Sequence, residues 1–285
     1  MLFIVEKKVG FMAVVAVIAA FSFIHVATTA FAQEDFAPEG DTYVIKEPAA
    51  WTRPKGEIAV STGFTPWVVR GEIAILDYVL LGVAYGGTDV LGYGEPDFNP
   101  YPAFQIKFRI TNGGAVIPAL SVGYDDMGQG RYLDGVNPYQ SKNESRDARE
   151  RRIINYNRYV IKAKGFYAVA SQEYGLFGAL GFHFGMNYSV REAKDDDTLD
   201  FFAAVEKSLG PRVMIMATYD VGFNDDNDNA LGQGRGFLNT GIRWHVSDDF
   251  DIDFYVTNLF NNQEKRLGDE GKYTRMFYIT YKWFL

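Results

Sequence analysis

Twelve charged residues pose the first question of chemistry. Lys107, Arg109, Arg158, Lys162, Lys164 and Arg243 stand in stretches where polar and apolar residues alternate, and so do Glu72, Asp125, Glu206, Asp220, Asp251 and Asp253. Successive side chains of a β-strand point to opposite faces, so each charge falls on a polar face backed by an apolar one. Arg70 and Lys282 fall on the same set. Two chemistries suit such a set. The charges can pair with one another, as charges withdrawn from water must. Alternatively, the six basic residues can form a track that guides an anionic chain, since charged rings set the selectivity of pores. The strand register that would decide between these is not contained in the spacing.

Nucleophilic and metal chemistry have less support. The 285 residues include no cysteine, which excludes disulfides, thiolate zinc sites and cysteine nucleophiles. His183 and Ser189 are six residues apart, about 20 Å along a strand. His245 and Ser247 share a face about 7 Å apart along a strand, a loose dyad that falls in a short turn. The acidic strings "NDDNDN" (224–229) and "AKDDDT" (193–198) lack the glycine and terminal glutamate of an EF-hand loop and read as solvated loop tips. No cofactor and no metal site is expected, and the chain is expected not to be an enzyme; a lipid acyl hydrolase is the rival from that class.

The elements that must position these residues are strands. Alternating segments are expected at 57–64, 67–76, 78–88, 101–112, 114–125, 156–169, 174–190, 198–209, 211–222, 235–247, 249–260 and 273–285, an even number of about the length that a tilted membrane-crossing strand needs. In 104–111, Phe104, Ile106, Phe108 and Ile110 alternate with Gln105, Lys107, Arg109 and Thr111. The links are sorted by length. One side has short links at Asp77, Gly113, "SQEY" (171–174), Gly210 and Asp248, and the other, apart from a short first link at Thr65-Pro66, has long polar loops at 89–100, 126–155, 191–197, 223–234 and 261–272. Tight turns on one side and long loops on the other characterise outer-membrane barrels. The expected fold is therefore an all-β, transmembrane, antiparallel up-and-down barrel of about twelve strands. Within loop 126–155, "SKNESRDARERRIIN" suggests a short helix that constricts the lumen or stands in solvent.

The beginning of the chain reads as an export signal. Lys7 and Lys8 precede an apolar run and an Ala30-Phe31-Ala32 end, the pattern of a cleaved secretory signal peptide. Residues 1–32 are assigned to it, 33–55 to an extended periplasmic arm and 56–285 to the barrel. Removing two of 28 basic and one of 36 acidic residues leaves 26 and 35, a net charge of −9. That balance, with export, argues against nucleic acid as a partner. The aromatic content of 16% suits the interfacial girdles of a barrel.

Two resemblances follow from particular residues. In "MFYITYKWFL", Phe277, Ile279, Tyr281, Trp283 and Leu285 share one face. This looks like the C-terminal signature of bacterial outer-membrane proteins, though those usually end in Phe or another aromatic and this chain ends in Leu285. It implies that the barrel-assembly machinery reads Tyr281, Trp283 and Leu285. "IPALSVGYDDMGQGRYLDG" (117–135), with "NRYVIKAKGFYAV", "GLFGALGFHFG" and "KGEIAVSTGFTP", resembles the repeated unit of YjbH-type barrels associated with exopolysaccharide production. It covers about half the mature chain, which is shorter than those barrels and carries 136–155 as an insertion. The resemblance implies an outer-membrane location, contact with outer-membrane lipid and lipopolysaccharide, and a role as a narrow pore or assembly component for surface or exported polysaccharide, with polysaccharide or a secretion partner as the expected partner; a purely structural barrel is the alternative. If the segments close into a barrel, unboiled protein should migrate faster on denaturing gels than boiled protein; identical mobility would count against closure.

Overall fold

The computed structural model describes residues 41–91, 95–114, 116–136, 155–192, 196–227, 230–263 and 273–285. The expected signal peptide, residues 33–40 of the arm and most of the "SKNESRDARERRIIN" stretch lie outside the described residues. The first strands are β1 (Tyr43–Val44), β2 (Glu47–Pro48), β3 (Glu57–Phe64), β4 (Trp67–Leu76), β5 (Val79–Thr88) and β6 (Asp97–Phe98). β7 (Ala103–Asn112), β8 (Ala119–Asp125), β9 (Gln129–Val136), β10 (Asn155–Ile161), β11 (Gly165–Gly175) and β12 (Ala179–Tyr188) follow. The series ends with β13 (Asp200–Ser208), β14 (Val213–Asp220), β15 (Phe237–His245), β16 (Phe250–Thr257) and β17 (Thr274–Phe284).

Twelve of these form the wall: β3, β4, β5, β7, β8 and β11 to β17, each antiparallel to its neighbours. β17 pairs with β3 from Tyr278 opposite Gly63 to Phe284 opposite Glu57, and β4 pairs with β5. The ring is therefore closed and leaves no long bare edge. Outward residues are apolar and exposed, among them Phe104, Phe108, Ile110, Ile242, Trp244, Phe254 and Phe277. Their inward neighbours Lys107, Arg243, Asp251, Asp253 and Tyr278 are buried. An apolar band of this extent would be untenable in water and is what lipid requires of a barrel exterior. The all-β, twelve-strand transmembrane barrel expected from the alternation is the fold found.

Three expected strands are placed differently. The segment 156–169 is not one strand. Asn155–Ile161 pairs with β9 as a separate hairpin, residues 162–164 cross over, and β11 begins at Gly165. Gly165 takes a positive φ of 62°, which ends the alternation there. "SQEY" is strand rather than turn, because Tyr167, Val169 and Ser171 continue one buried face. The turn falls at 176–178, where Phe177 and Gly178 both have positive φ. β8 starts at Ala119 rather than 114, following Pro118, which has no N–H for the ladder.

The largest departure concerns the arm. Residues 41–53 of the segment expected as an extended periplasmic arm lie within the ring. Val44, Ile45, Ala49, Ala50 and Trp51 pack against Val68, Ala84, Ala103, Ala119, Tyr167, Phe202, Met216, Tyr255 and Tyr278, which come from strands all around the wall. The segment folds back on itself through β1 and β2. It shows no period of 2 because wall residues meet it on every side.

Close cross-strand contacts stiffen the wall. Tyr278 faces Gly63, Tyr167 faces Gly123, Phe202 faces Gly185 and Tyr255 faces Gly241, each pair directly opposite across two strands. A Cβ on any of these glycines would meet the facing ring, so each glycine is a seat for an aromatic side chain on the next strand. Phe202 is buried and lies under Lys164, so its ring cannot give way cheaply. Gly185→Ala is expected to cost about 1–3 kcal/mol by overpacking, lowering the temperature at which the compact gel band is lost. Adding Phe202→Leu should recover part of that loss, and additive losses would remove the seat as the cause.

Candidate functional site

The inward charges of the wall grip the internal segment. The Lys107 ammonium group has three donors, and they go to the carbonyl oxygens of Thr42 at 2.7 Å, Ala49 at 3.0 Å and Trp51 at 3.3 Å. Ser121 Oγ donates to Ala50 O, and Ser171 Oγ accepts from Ala50 N at 2.8 Å. Glu72 accepts from Thr42 Oγ1 and from Arg53 Nε, both at 3.2 Å. Asp125 accepts from Tyr43 OH at 2.5 Å and from Arg70 Nη1 at 3.0 Å. Lys164 bridges Glu47, at 2.6 Å, and Asp220. Arg243 bridges Asp253, at 2.7 Å, and Asp41. Asp251 holds His245 at 2.6 Å and Lys282 at 2.9 Å.

The six basic residues therefore do not stand in one row. Lys107, Lys164 and Arg243 surround the internal segment. Arg109 lies at the short-turn rim, where Nη2 donates to Asp77 O at 2.7 Å. Arg158 and Lys162 are at the opposite end, in the β9–β10 hairpin and the crossing that follows it. Of the acidic residues, Glu72, Asp125, Asp220, Asp251 and Asp253 join the lumen network, while Glu206 lies 3.3 Å from His183 Nε2.

The β9–β10 hairpin forms a cap at the long-loop end. Arg158 makes a two-pronged pair with Asp225 at 2.7 and 2.9 Å, both side chains buried. Lys162 Nζ donates to the carbonyls of Asp196 and Asn224. Leu133, Val160 and Leu231 add a small apolar cluster. "NDDNDN" is thus not simply a solvated tip, because Asn224 and Asp225 are buried anchors of the cap. Among the described residues no cluster of three metal-ligating side chains is found. Glu192 fastens the cap to the rim, its two carboxylate oxygens accepting from Tyr159 N at 2.8 Å and Ala163 N at 2.6 Å.

His245 pairs with Asp251 rather than with Ser247. A different arrangement appears where the spacing gave no sign of one. Ser171 Oγ lies 2.8 Å from His183 Nδ1, and Glu206 follows at Nε2. Ser171 and His183 are directly opposite across β11 and β12, so only the strand register could have brought them to notice. The serine has no exposed surface and its oxygen is occupied by the Ala50 N–H. The internal segment thus keeps any substrate away from it.

The closed wall, apolar exterior and charged interior define a transmembrane β-barrel with a filled lumen, a form that fits an outer membrane. No family model and no curated protein matches the chain. Among solved structures it is similar to the KdgM porin, at 6% identity and a TM-score of 0.42, over 80% of this chain and 99% of that one. It is also similar to the NanC porin, at 7% identity and a TM-score of 0.38, over 80% and 98%. A structure titled "De novo design of transmembrane beta-barrels" matches at 10% identity and a TM-score of 0.21, over 82% and 99%. At these values the assignment rests on the strand pairing and faces described above.

Burial raises the Glu192 carboxyl from its usual 4.5 to about 7, against the opposing pull of Arg158 and the two backbone N–H groups. The folded cap therefore binds this proton more tightly than the unfolded chain does. The contribution to stability is fully present below pH 4.5 and is lost as pH rises through 7. Amide exchange at Tyr159 and Ala163, corrected for intrinsic rates, should accelerate across that window. Glu192→Gln should flatten the dependence, and an unchanged slope would assign it to another group.

Proposed function

We propose that this chain is an outer-membrane barrel acting as a narrow, normally closed pore or assembly component for surface or exported polysaccharide. The observation that carries the proposal is the grip of Lys107 on three carbonyls of the internal segment. Beside the apolar packing of Val44, Ile45 and Trp51, the segment is held by hydrogen bonds and ion pairs from the wall, and water can replace these polar contacts when it moves out. A lumen built only for strength would more simply be filled by apolar side chains. Withdrawal of residues 41–53 would leave Lys107, Lys164 and Arg243 facing the passage, a shorter basic set than the six residues of the sequence pattern. The polysaccharide assignment is supported by the YjbH-like stretches. Lipid and lipopolysaccharide surround the barrel in this proposal, and the row Tyr281, Trp283 and Leu285 on the closing strand is the part presented to the assembly machinery.

A purely structural barrel is the second reading, favoured by the pairing of Arg53, Arg70, Lys164 and Arg243 with carboxylates. Planar-bilayer recordings separate the two. The intact protein should open rarely, whereas deletion of residues 41–53 should give steady small conductance. Lys107→Met should raise the open fraction about tenfold or more, since one charge-assisted hydrogen bond is worth about 1.5–3 kcal/mol. In the deleted form, Lys164→Glu should shift ion selectivity toward cations. Silence from a deleted form that retains its gel-mobility shift would leave the structural reading.

A further inference from the structure

We propose that a pocket beneath the cap, outside the lumen, binds an uncharged pyranose ring. The cavity is about 320 Å³, at the lower end of the size of small-ligand pockets. It lies at the long-loop end, between the outer side of the wall and the β9–β10 hairpin. Tyr101, Tyr124, Tyr132 and Tyr159 line it together with Asp126 and Arg191.

The walls suit a sugar. Tyr132 stands edge-on to Tyr101, with ring centroids 5.9 Å apart, and edge-on to Tyr159 at 5.1 Å. The three rings are thus mutually locked and present a rigid aromatic corner. A pyranose has one face of C–H bonds that packs on such a surface and a rim of hydroxyls that need polar partners. An aromatic ring with a polar tip offers both at small cost in conformational entropy. The polar partners are in place: Arg191 pairs with Asp126 and lies over the Tyr101 ring at 5.4 Å. Planar guanidinium and carboxylate groups can each engage two neighbouring hydroxyls. Arg191 is paired with Asp126, and the Glu192 carboxyl, which also lines the pocket, faces the Tyr159 and Ala163 N–H groups, so the lining offers no uncompensated positive charge, which favours a neutral sugar over an anionic one.

The position limits where the sugar comes from. Tyr124 and Phe166 meet on the outer wall just below the pocket, with centroids 4.9 Å apart, at the level of an interfacial girdle. A pyranose there belongs either to a polysaccharide at the surface or to the glycolipid of the outer leaflet. The site deepens the polysaccharide proposal and rests on it only for the first of these sources.

The test is calorimetric titration of the full-length protein in a detergent without a sugar headgroup. The probes are neutral tetramers of β-1,4-glucose, α-1,4-glucose and β-1,4-mannose, and, in a separate arm, rough lipopolysaccharide in liposomes. At least one probe should bind, and Tyr132→Ala and Arg191→Ala should each weaken it about tenfold. Tyr132→Phe, which keeps the ring, should stay within about threefold of the intact protein. Binding of tetramers assigns a polysaccharide source, and binding of lipopolysaccharide alone assigns the glycolipid. No binding by either, or binding untouched by Tyr132→Ala in a variant that retains its gel-mobility shift, overturns the proposal. Conductance of the 41–53 deletion is expected to be the same with and without Tyr132→Ala, so the pocket and the pore can fail separately.

Discussion

The structure depends on one constraint: a ring of strands in lipid must turn its charges inward, and every inward charge must then find a partner. Lys107 shows how this is met. Its ammonium group is fully buried, and three backbone carbonyls of the internal segment take its hydrogens. Glu72, Asp125, Lys164 and Arg243 do the same with other parts of that segment. The segment in turn cannot stand alone, since its buried carbonyls and carboxylates would be costly without the wall. Wall and filling therefore specify each other.

The same constraint organises the two ends. At the short-turn end the wall is tied by β-turns and by Arg109 reaching Asp77 O. At the long-loop end Arg158 and Asp225 are buried together, a pair whose separation would strand one charge without water or partner. Among the described residues the cap is thus held at a few polar points and by a small apolar cluster of Leu133, Val160 and Leu231 with Ile161 packed against it. A cover fastened this way responds to acidity and to ligand more readily than one sealed by a large core.

Much of the wall was legible in the amino-acid pattern because lipid outside and charge inside impose a strict period of 2. Lys107, Arg243, Asp251 and Asp253 face the lumen as the alternation requires, and the closing pair of β17 with β3 follows from the apolar face of the final strand. What the pattern could not carry is whatever depends on register or on non-periodic chain. Gly185 and Phe202 are opposite each other only once two strands are aligned, and so are Ser171 and His183. Residues 41–53 have no period and read in the sequence only as an extended periplasmic arm. Arg158 and Lys162 sit in an alternating stretch that runs up to Gly165, where one positive φ separates the cap from the wall.

The internal segment is joined to β3 by only Pro54, Lys55 and Gly56, the last of these taking a positive φ of 86°. So short a leash means that a displaced segment stays at an effective concentration in the millimolar range beside its own vestibule. Recapture is then a first-order event within one molecule, indifferent to how many copies share the membrane, and any vacancy it leaves is self-limiting in time.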